Sequence, residues 1–294
     1  MGWRVTVRFV EIDWNGRAVR IEHAWVGERN AAAPLVVFLH EGLGSLAMWK
    51  GFPQQLCAAT GSRGLVYSRP GYGRSTQRDA DEAWGLDFMH RQALEVLPAL
   101  LQALGVHERY WLFGHSDGGS IALLHAAGAA GTAGAAGTAG AAGALHAQHL
   151  RQQVAGAIVV APHIVVEDRS VASIELARLA YETTDLKARL AKYHDDPDSA
   201  FYGWNRIWLH PPFRHWSIEA EIATIRVPLL AVQGVDDEYG TLEQIRGIQR
   251  QVPHSQLLEL ADCGHSPHRD QPQALIDAAR AFIHQPRNRN GDTA

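Results

Sequence analysis

Gly114, His115, Ser116, Asp117 and Gly118 form a Gly-x-Ser-x-Gly box between an apolar run, Tyr110 to Phe113, and a helical pattern. A serine on so sharp a strand-to-helix turn has strained backbone angles, and glycine two places to either side lets neighbouring chain pack close. Ser116 would then stand clear of the sheet with a helix N-terminus directed at any negative charge that develops. Its hydroxyl is a weak nucleophile at neutral pH, so it needs a base. Two later strand-like runs end in candidates: Pro228 to Gly234 leads into Val235, Asp236 and Asp237, and Gln256 to Ala261 leads into Asp262, Cys263, Gly264 and His265. His265 follows a glycine in a loop able to fold over the elbow, and His268 is its nearest rival. Asp236 and Asp237 compete as the acid that would orient the base.

Serine, then acid, then histidine, each just past the carboxyl end of a strand, is the chain order of the α/β-hydrolase triad. The chain resembles the α/β-hydrolase superfamily over roughly residues 18 to 285. Within it, Gly-x-Ser-Asp-Gly-Gly at 114–119, Val-Glu-Asp-x-Ser at 166–170 and Trp204 ahead of a Pro-Leu-Leu strand are similar to the biphenyl hydrolase-like, or valacyclovir hydrolase, branch. The resemblance implies an acid three residues after the glycine that closes its strand, which selects Asp237. It also implies two oxyanion donors, the N–H of Asp117 and one from the loop after Leu39. That loop, His40-Glu41-Gly42-Leu43-Gly44-Ser45, resembles the family's His-Gly-x-x-Gly-Ser, with Glu41 where glycine is usual. By position the donor is Gly42, with Leu43 as the alternative, and His40 braces the loop.

Asp117 is unexpected where it stands, because a carboxylate beside an oxyanion hole opposes the charge that forms there. It requires a positive or donating partner. Arg69, Arg74 or a backbone N–H at the helix start would serve from within the chain. The α-ammonium of an amino-acid ester would serve from outside, as the branch resemblance also implies, and Glu41 would add a second acid near the mouth. Trp204 and Trp208 join Asp117 and Glu41 as candidate substrate contacts. Cys263, near the same loops, has no assigned base and is expected to be a bystander.

These residues need a scaffold. Arg4 to Glu11 and Ala18 to Val26 suggest an opening hairpin with an Asn15-Gly16 turn. Pro34 to Leu39 is a nearly continuous apolar run, as expected of a strand covered on both faces. Helical spacing at Trp49 to Ala59, a strand at Gly64 to Ser68 and a long helix from Leu86 to Leu104 follow. The alternation predicts an α/β fold with a mainly parallel, doubly wound sheet. From Pro162 to about Thr224 the strand pattern gives way to helices at Val171 to Thr183, Leu186 to His194 and Ala200 to His210, where the resembled family carries a lid. The expected organisation is a core of residues 1–161 and 225–286, a helical lid of 162–224 and a flexible tail of 287–294. Phe201, Tyr202, Trp204, Trp208, Phe213 and Trp216 would either wall a pocket or form the lid's own core. Ala-Ala-Gly and Thr-Ala-Gly triplets at 126–144 lack the proline of a collagen-like repeat and suggest a frayed, low-complexity helix extension.

Composition excludes several classes. The 294 residues are 46% hydrophobic and 20% charged with a net charge of −4, which offers no basic field for nucleic acid. No apolar run approaches the roughly 20 residues of a membrane span. Two cysteines, Cys57 and Cys263, suggest neither a disulfide framework nor a thiolate zinc site, which favours a reducing, cytoplasmic setting. His265-x-x-His268 and His146-x-x-His149 lack the acid-rich spacing of a zinc site, so no metal is expected. The expected activity is a serine hydrolase cleaving a small carboxylic ester through an acyl-enzyme, without metal or organic cofactor, with a small molecule as its partner. A carbon–carbon bond hydrolase of aromatic ring-cleavage products and a non-catalytic ligand receptor share the fold and stand as alternatives. Nothing in the pattern fixes an oligomeric state.

Overall fold

The computed structural model describes residues 5–79, 82–128 and 152–285. Strands β1 (Arg8–Trp14) and β2 (Arg17–Gly27) form the opening hairpin, and its two turn residues, Asn15 and Gly16, both have positive φ. Asn-Gly accepts that conformation, whose twist matches the flanking strands. Strands β3 (Leu35–Leu39), β4 (Arg63–Tyr67), β5 (Tyr110–His115), β6 (Val154–Val160), β7 (Leu229–Gly234) and β8 (Gln256–Leu260) complete one eight-stranded sheet in the order β1-β2-β4-β3-β5-β6-β7-β8. The β1–β2 and β2–β4 pairs are antiparallel and every other pair is parallel.

Every residue of β3, β5, β6 and β7 is buried, because helices cover both faces. Alternate side chains feed two cores. Leu35, Val37, Tyr110 and Leu112 join one, while Val36, Phe38, Trp111 and Phe113 join the other. Helices α1 (Phe52–Thr60) and α11 (Pro272–Ile283) pack on the second face. On the first lie α2 (Phe88–Arg91), α3 (Leu97–Ala103) and α4 (Asp117–Ala127).

The long helix expected from Leu86 to Leu104 is interrupted by a π turn at Gln92–Val96. Pro98 supplies the reason, since it has no N–H for the Leu94 carbonyl and a wider turn absorbs the mismatch. The Ala93 carbonyl there accepts a hydrogen bond from His125 Nδ1 at 2.6 Å.

Between β6 and β7 the chain forms α5 (Asp168–Thr183), α6 (Leu186–Leu190), α7 (Pro197–Trp208), a 3₁₀ turn (Pro211–His215) and α8 (Glu219–Ile222). Asp196 caps α7 by accepting from the N–H groups of Asp198 and Ser199, with Pro197 in the first turn. Phe201, Trp208 and Phe213 are fully buried, Tyr181 stacks on Phe201, and Phe213 stacks on Trp216. Phe201, Trp208 and Phe213 thus fill the interior of the insert and join the core on the first face of the sheet. After β7 come α9 (Glu243–Gln251) and, beyond β8, α10 (Pro267–Asp270). Most of the Ala/Gly segment at 126–144 and the whole 287–294 tail lie outside the described residues. Among the described residues no helix is long and apolar enough to cross a membrane.

Candidate active site

The turn from β5 into α4 leaves Ser116 at φ 52°, ψ −122°, a conformation costly for any residue but glycine. Close packing enforces it. A side chain on Gly114 would run into the Gly118 carbonyl, and one on Gly118 would run into the Leu39 carbonyl of the neighbouring strand. The elbow therefore holds Ser116 at the carboxyl edge of the sheet, 7% exposed, with its hydroxyl 2.9 Å from His265 Nε2.

His265 Nδ1 lies 2.9 and 3.0 Å from the two carboxylate oxygens of Asp237. A proton on Nδ1 satisfies the carboxylate and leaves Nε2 free to accept the serine proton. Asp237 is itself held. Its Oδ1 accepts from the N–H groups of Tyr239 and Gly240, and its Oδ2 accepts from Gln233 Nε2. Burial would raise the Asp237 pKa, but the His265 hydrogen bond and charge and the Tyr239 N–H outweigh it and hold the carboxyl below the usual range. Asp236 is exposed, with its backbone N–H on the Cys263 carbonyl, and makes no side-chain contact with His265. His268, the other candidate base, packs against Trp49 and Phe52, and burial with the nearby His115 charge pushes its pKa down to about 2.

Two further contacts place His265: its backbone N–H donates to Glu238 at 3.1 Å, and its carbonyl accepts from His115 Nε2 at 2.7 Å. The acid loop is gripped in turn by the start of α5. Arg169 donates to the Asp237 carbonyl at 2.9 Å, Ser170 to that of Tyr239 at 2.6 Å, and Ser173 to that of Glu238 at 2.6 Å. Glu167 accepts from the Thr241 N–H and hydroxyl and from Gln244 Nε2. The Val-Glu-Asp-x-Ser motif thus supports the loop that carries Asp237.

The backbone N–H of Asp117, first residue of α4, and that of Gly42 have no acceptor among the described residues; nor does that of Leu43. Trp204 packs its indole against Gly42. Asp117 is fully buried, and neither Arg69 nor Arg74 bonds to it; Arg74 is exposed. Its partner is the Trp208 indole N–H, which donates to Oδ1 at 3.2 Å, while Oδ2 has no partner. Burial raises the Asp117 pKa to about 6, opposed by the Arg69 charge, the Trp208 bond and His265. Trp208 is thus committed to Asp117. Glu41 is also occupied, ion-paired with Arg269 at 3.2 Å and with its other oxygen 3.6 Å from His115 Nδ1. Burial would raise its pKa, but His115 and Arg269 hold it well below the carboxylate range. Cys263 is buried, and burial pushes its thiol up to about 11, far from a reactive thiolate.

A family model described as the alpha/beta hydrolase family matches residues 36–278. A 95-residue stretch is 42% identical to 2-succinyl-6-hydroxy-2,4-cyclohexadiene-1-carboxylate synthase of Yersinia pseudotuberculosis serotype O:1b (strain IP 31758), spanning 32% of this chain and 31% of that relative. Among solved structures, a thermophilic esterase from Thermogutta terrifontis superposes with a TM-score of 0.66 at 16% identity, covering 95% of this chain and 98% of that one. The enol-lactonase from Burkholderia xenovorans LB400 superposes with a TM-score of 0.65 at 19% identity, covering 94% and 99%. At such identities these structural likenesses establish the fold alone.

Proposed function

Because the chain belongs to the alpha/beta hydrolase family, we propose that it is a serine hydrolase cleaving a small carboxylic ester. The observation that carries this reading is the line Ser116 Oγ, His265 Nε2, His265 Nδ1, Asp237 at hydrogen-bond distances beside two unengaged N–H groups. Ser116 attacks the ester carbonyl while His265 takes its proton. Asp237 fixes the tautomer and stabilises the imidazolium, and the N–H groups of Asp117 and Gly42 receive the oxyanion. His265 then protonates the leaving alcohol, and water repeats the cycle on the acyl-enzyme. No step calls for a metal or organic cofactor.

Asp117 narrows the substrate. One carboxylate oxygen is buried without a partner next to the nucleophile, and the group is anionic at neutral pH. An α-amino ester would bring an ammonium to it, with Trp204 of α7, which packs against Gly42, as the candidate apolar contact. Asp117→Ala is expected to weaken kcat/KM for a phenylalanine ester by about 1.5–3 kcal/mol, the range for hydrogen bonds to charged groups, while its desamino analogue changes little or improves. Equal losses on both esters would assign Asp117 to holding α7 through Trp208 and remove the ammonium from the reading. A second substrate class to assay beside the esters is a cyclohexadiene carboxylate, which the name of the Yersinia relative contains.

The Asp117 pKa sets a pH window. It is raised to about 6, so the carboxylate exists above that value and takes a proton below it. The ratio of kcat/KM for the amino ester to that for the desamino ester is expected to fall as pH drops through about 6. Taking the ratio cancels the titration of the shared base. The free amine, near 7.7 in an α-amino group, bounds the window from above. A ratio that stays flat from about pH 5 to about pH 7 would contradict recognition of an ammonium by Asp117.

A further inference from the structure

A trans peptide is planar, with its C=O and N–H directed to opposite sides. Whatever fixes the Glu41 carbonyl therefore fixes the direction of the Gly42 N–H. That carbonyl accepts three hydrogen bonds: from Gly44 N at 3.0 Å, from His40 Nδ1 at 2.7 Å and from Arg69 Nη2 at 2.8 Å. A carbonyl offers two lone pairs, so three donors, one of them charged, saturate it.

The two side chains are locked in these roles. His40 Nε2 accepts from Arg69 N at 3.0 Å and faces Arg69 Nε at 3.4 Å, which leaves the imidazole proton on Nδ1, where it meets the carbonyl. Burial, then the Arg69 charge, keep His40 well below the usual histidine range and hence neutral. Arg69 is 1% exposed, and no carboxylate among the described residues pairs with it. Its guanidinium lies 4.8 Å from the Tyr72 ring centroid and donates to the Glu41 carbonyl. A buried cation without an anionic partner is costly, and this one is placed directly behind an N–H that faces away from it.

We propose that Arg69 and His40 are positioning residues for the oxyanion hole. They aim the Gly42 N–H at the oxyanion, and the guanidinium strengthens that donor by polarising the peptide between them. The proposal rests on the reading of Ser116 as nucleophile and selects Gly42 over Leu43 as the donor. Glu41 contributes through its backbone, whatever its side chain does.

The test compares Arg69→Met, Arg69→Lys, His40→Ala and His40→Asn with the intact chain and with Ser116→Ala. Four quantities are read: kcat and KM on the best ester, the Kd of phenylboronic acid, and the melting temperature. The boronate adds to a serine hydroxyl as a tetrahedral anion and so reports the oxyanion hole directly. Removing one oxyanion donor costs about 10²–10³-fold, so misaiming one in Arg69→Met should cost about 30- to 100-fold in kcat. KM should change little, and boronate Kd should weaken by a similar factor. Lysine reaches only one of the partners and should restore little. His40→Asn, whose amide nitrogen overlays Nδ1, should recover most of what His40→Ala loses. If Arg69→Met does not fold, the two His40 variants decide the matter. Losses confined to KM, unchanged boronate affinity in a folded variant, or an asparagine no better than alanine would overturn the proposal while Ser116-dependent turnover stands. Wild-type protein that neither binds the boronate nor needs Ser116 for turnover would remove the hydrolase reading and this proposal together.

Discussion

Ser116→Ala is expected to lower kcat for ester hydrolysis on the order of 10³-fold or more without a loss of fold. The Ser116 hydroxyl makes one side-chain contact, to His265 Nε2, so its removal leaves no cavity in either core. Alanine inherits the same strained backbone angles, and the glycines that impose them remain. What is lost is the atom that bonds to the acyl group. Residual rate would come from the oxyanion donors acting on water, as in serine hydrolases stripped of a triad member. Turnover of a p-nitrophenyl ester panel, paired with mass detection of a fluorophosphonate adduct on the wild-type chain, provides the measurement. A variant that keeps wild-type turnover, or an adduct on another residue, would take Ser116 out of the mechanism and leave the ligand-receptor alternative in its place.

Asp237→Asn should reduce kcat by roughly 10⁴-fold, and Asp236→Asn should cost far less. The environment dictates the first result. The Tyr239 and Gly240 N–H groups require an oxygen at the Oδ1 position, so an asparagine turns its amide nitrogen toward Gln233 and His265. That nitrogen confronts Gln233 Nε2, which cannot turn away freely because it also donates to the Gly240 carbonyl at 3.1 Å. At His265 the effect reaches the mechanism: an N–H facing Nδ1 moves the imidazole proton to Nε2, where it confronts the Ser116 hydroxyl instead of accepting from it. Asp236 is exposed and touches none of these groups. Steady-state kinetics of the two variants at a pH where the wild type is on its plateau separates them, and a reversed order would make Asp236 the orienting acid.

Much of this was legible in the sequence because it depends on short-range rules. The apolar strands, the Asn15-Gly16 turn and the glycine spacing around Ser116 each report a local conformational demand. Chain order then matched an acid and a histidine to the serine, and the structure brings Ser116, Asp237 and His265 together. Contacts between distant side chains were not legible. Trp208 meets Asp117 across 91 positions, and Arg269 meets Glu41 across 228. No periodicity encodes such pairs, since they exist only once the helical insert and the histidine loop have docked. The role of Arg69 was hidden for another reason. Its partner is a backbone carbonyl, which every residue possesses, so residue type alone gives no sign of it. The π turn before Pro98 lay within reach of the sequence, yet a helical apolar pattern tolerates one such turn without losing its register on the core.

The grip of α5 on the acid loop bears on how this protein can be recombined. Residues 162–224 look like a cassette, bounded by two strands and filled with their own aromatic core. Near its start, Glu167, Arg169, Ser170 and Ser173 hold the loop from Asp237 to Gln244; midway along it, His194 donates to the Leu43 carbonyl beside Gly42. A chimera with crossovers at the insert's edges would inherit Asp237 and Gly42 from one parent and their supports from another. The transferable unit is discontinuous: residues 167–173 travel with 237–244, and 194 travels with 43, or the exchanged helices arrive beside a nucleophile whose partners are no longer held.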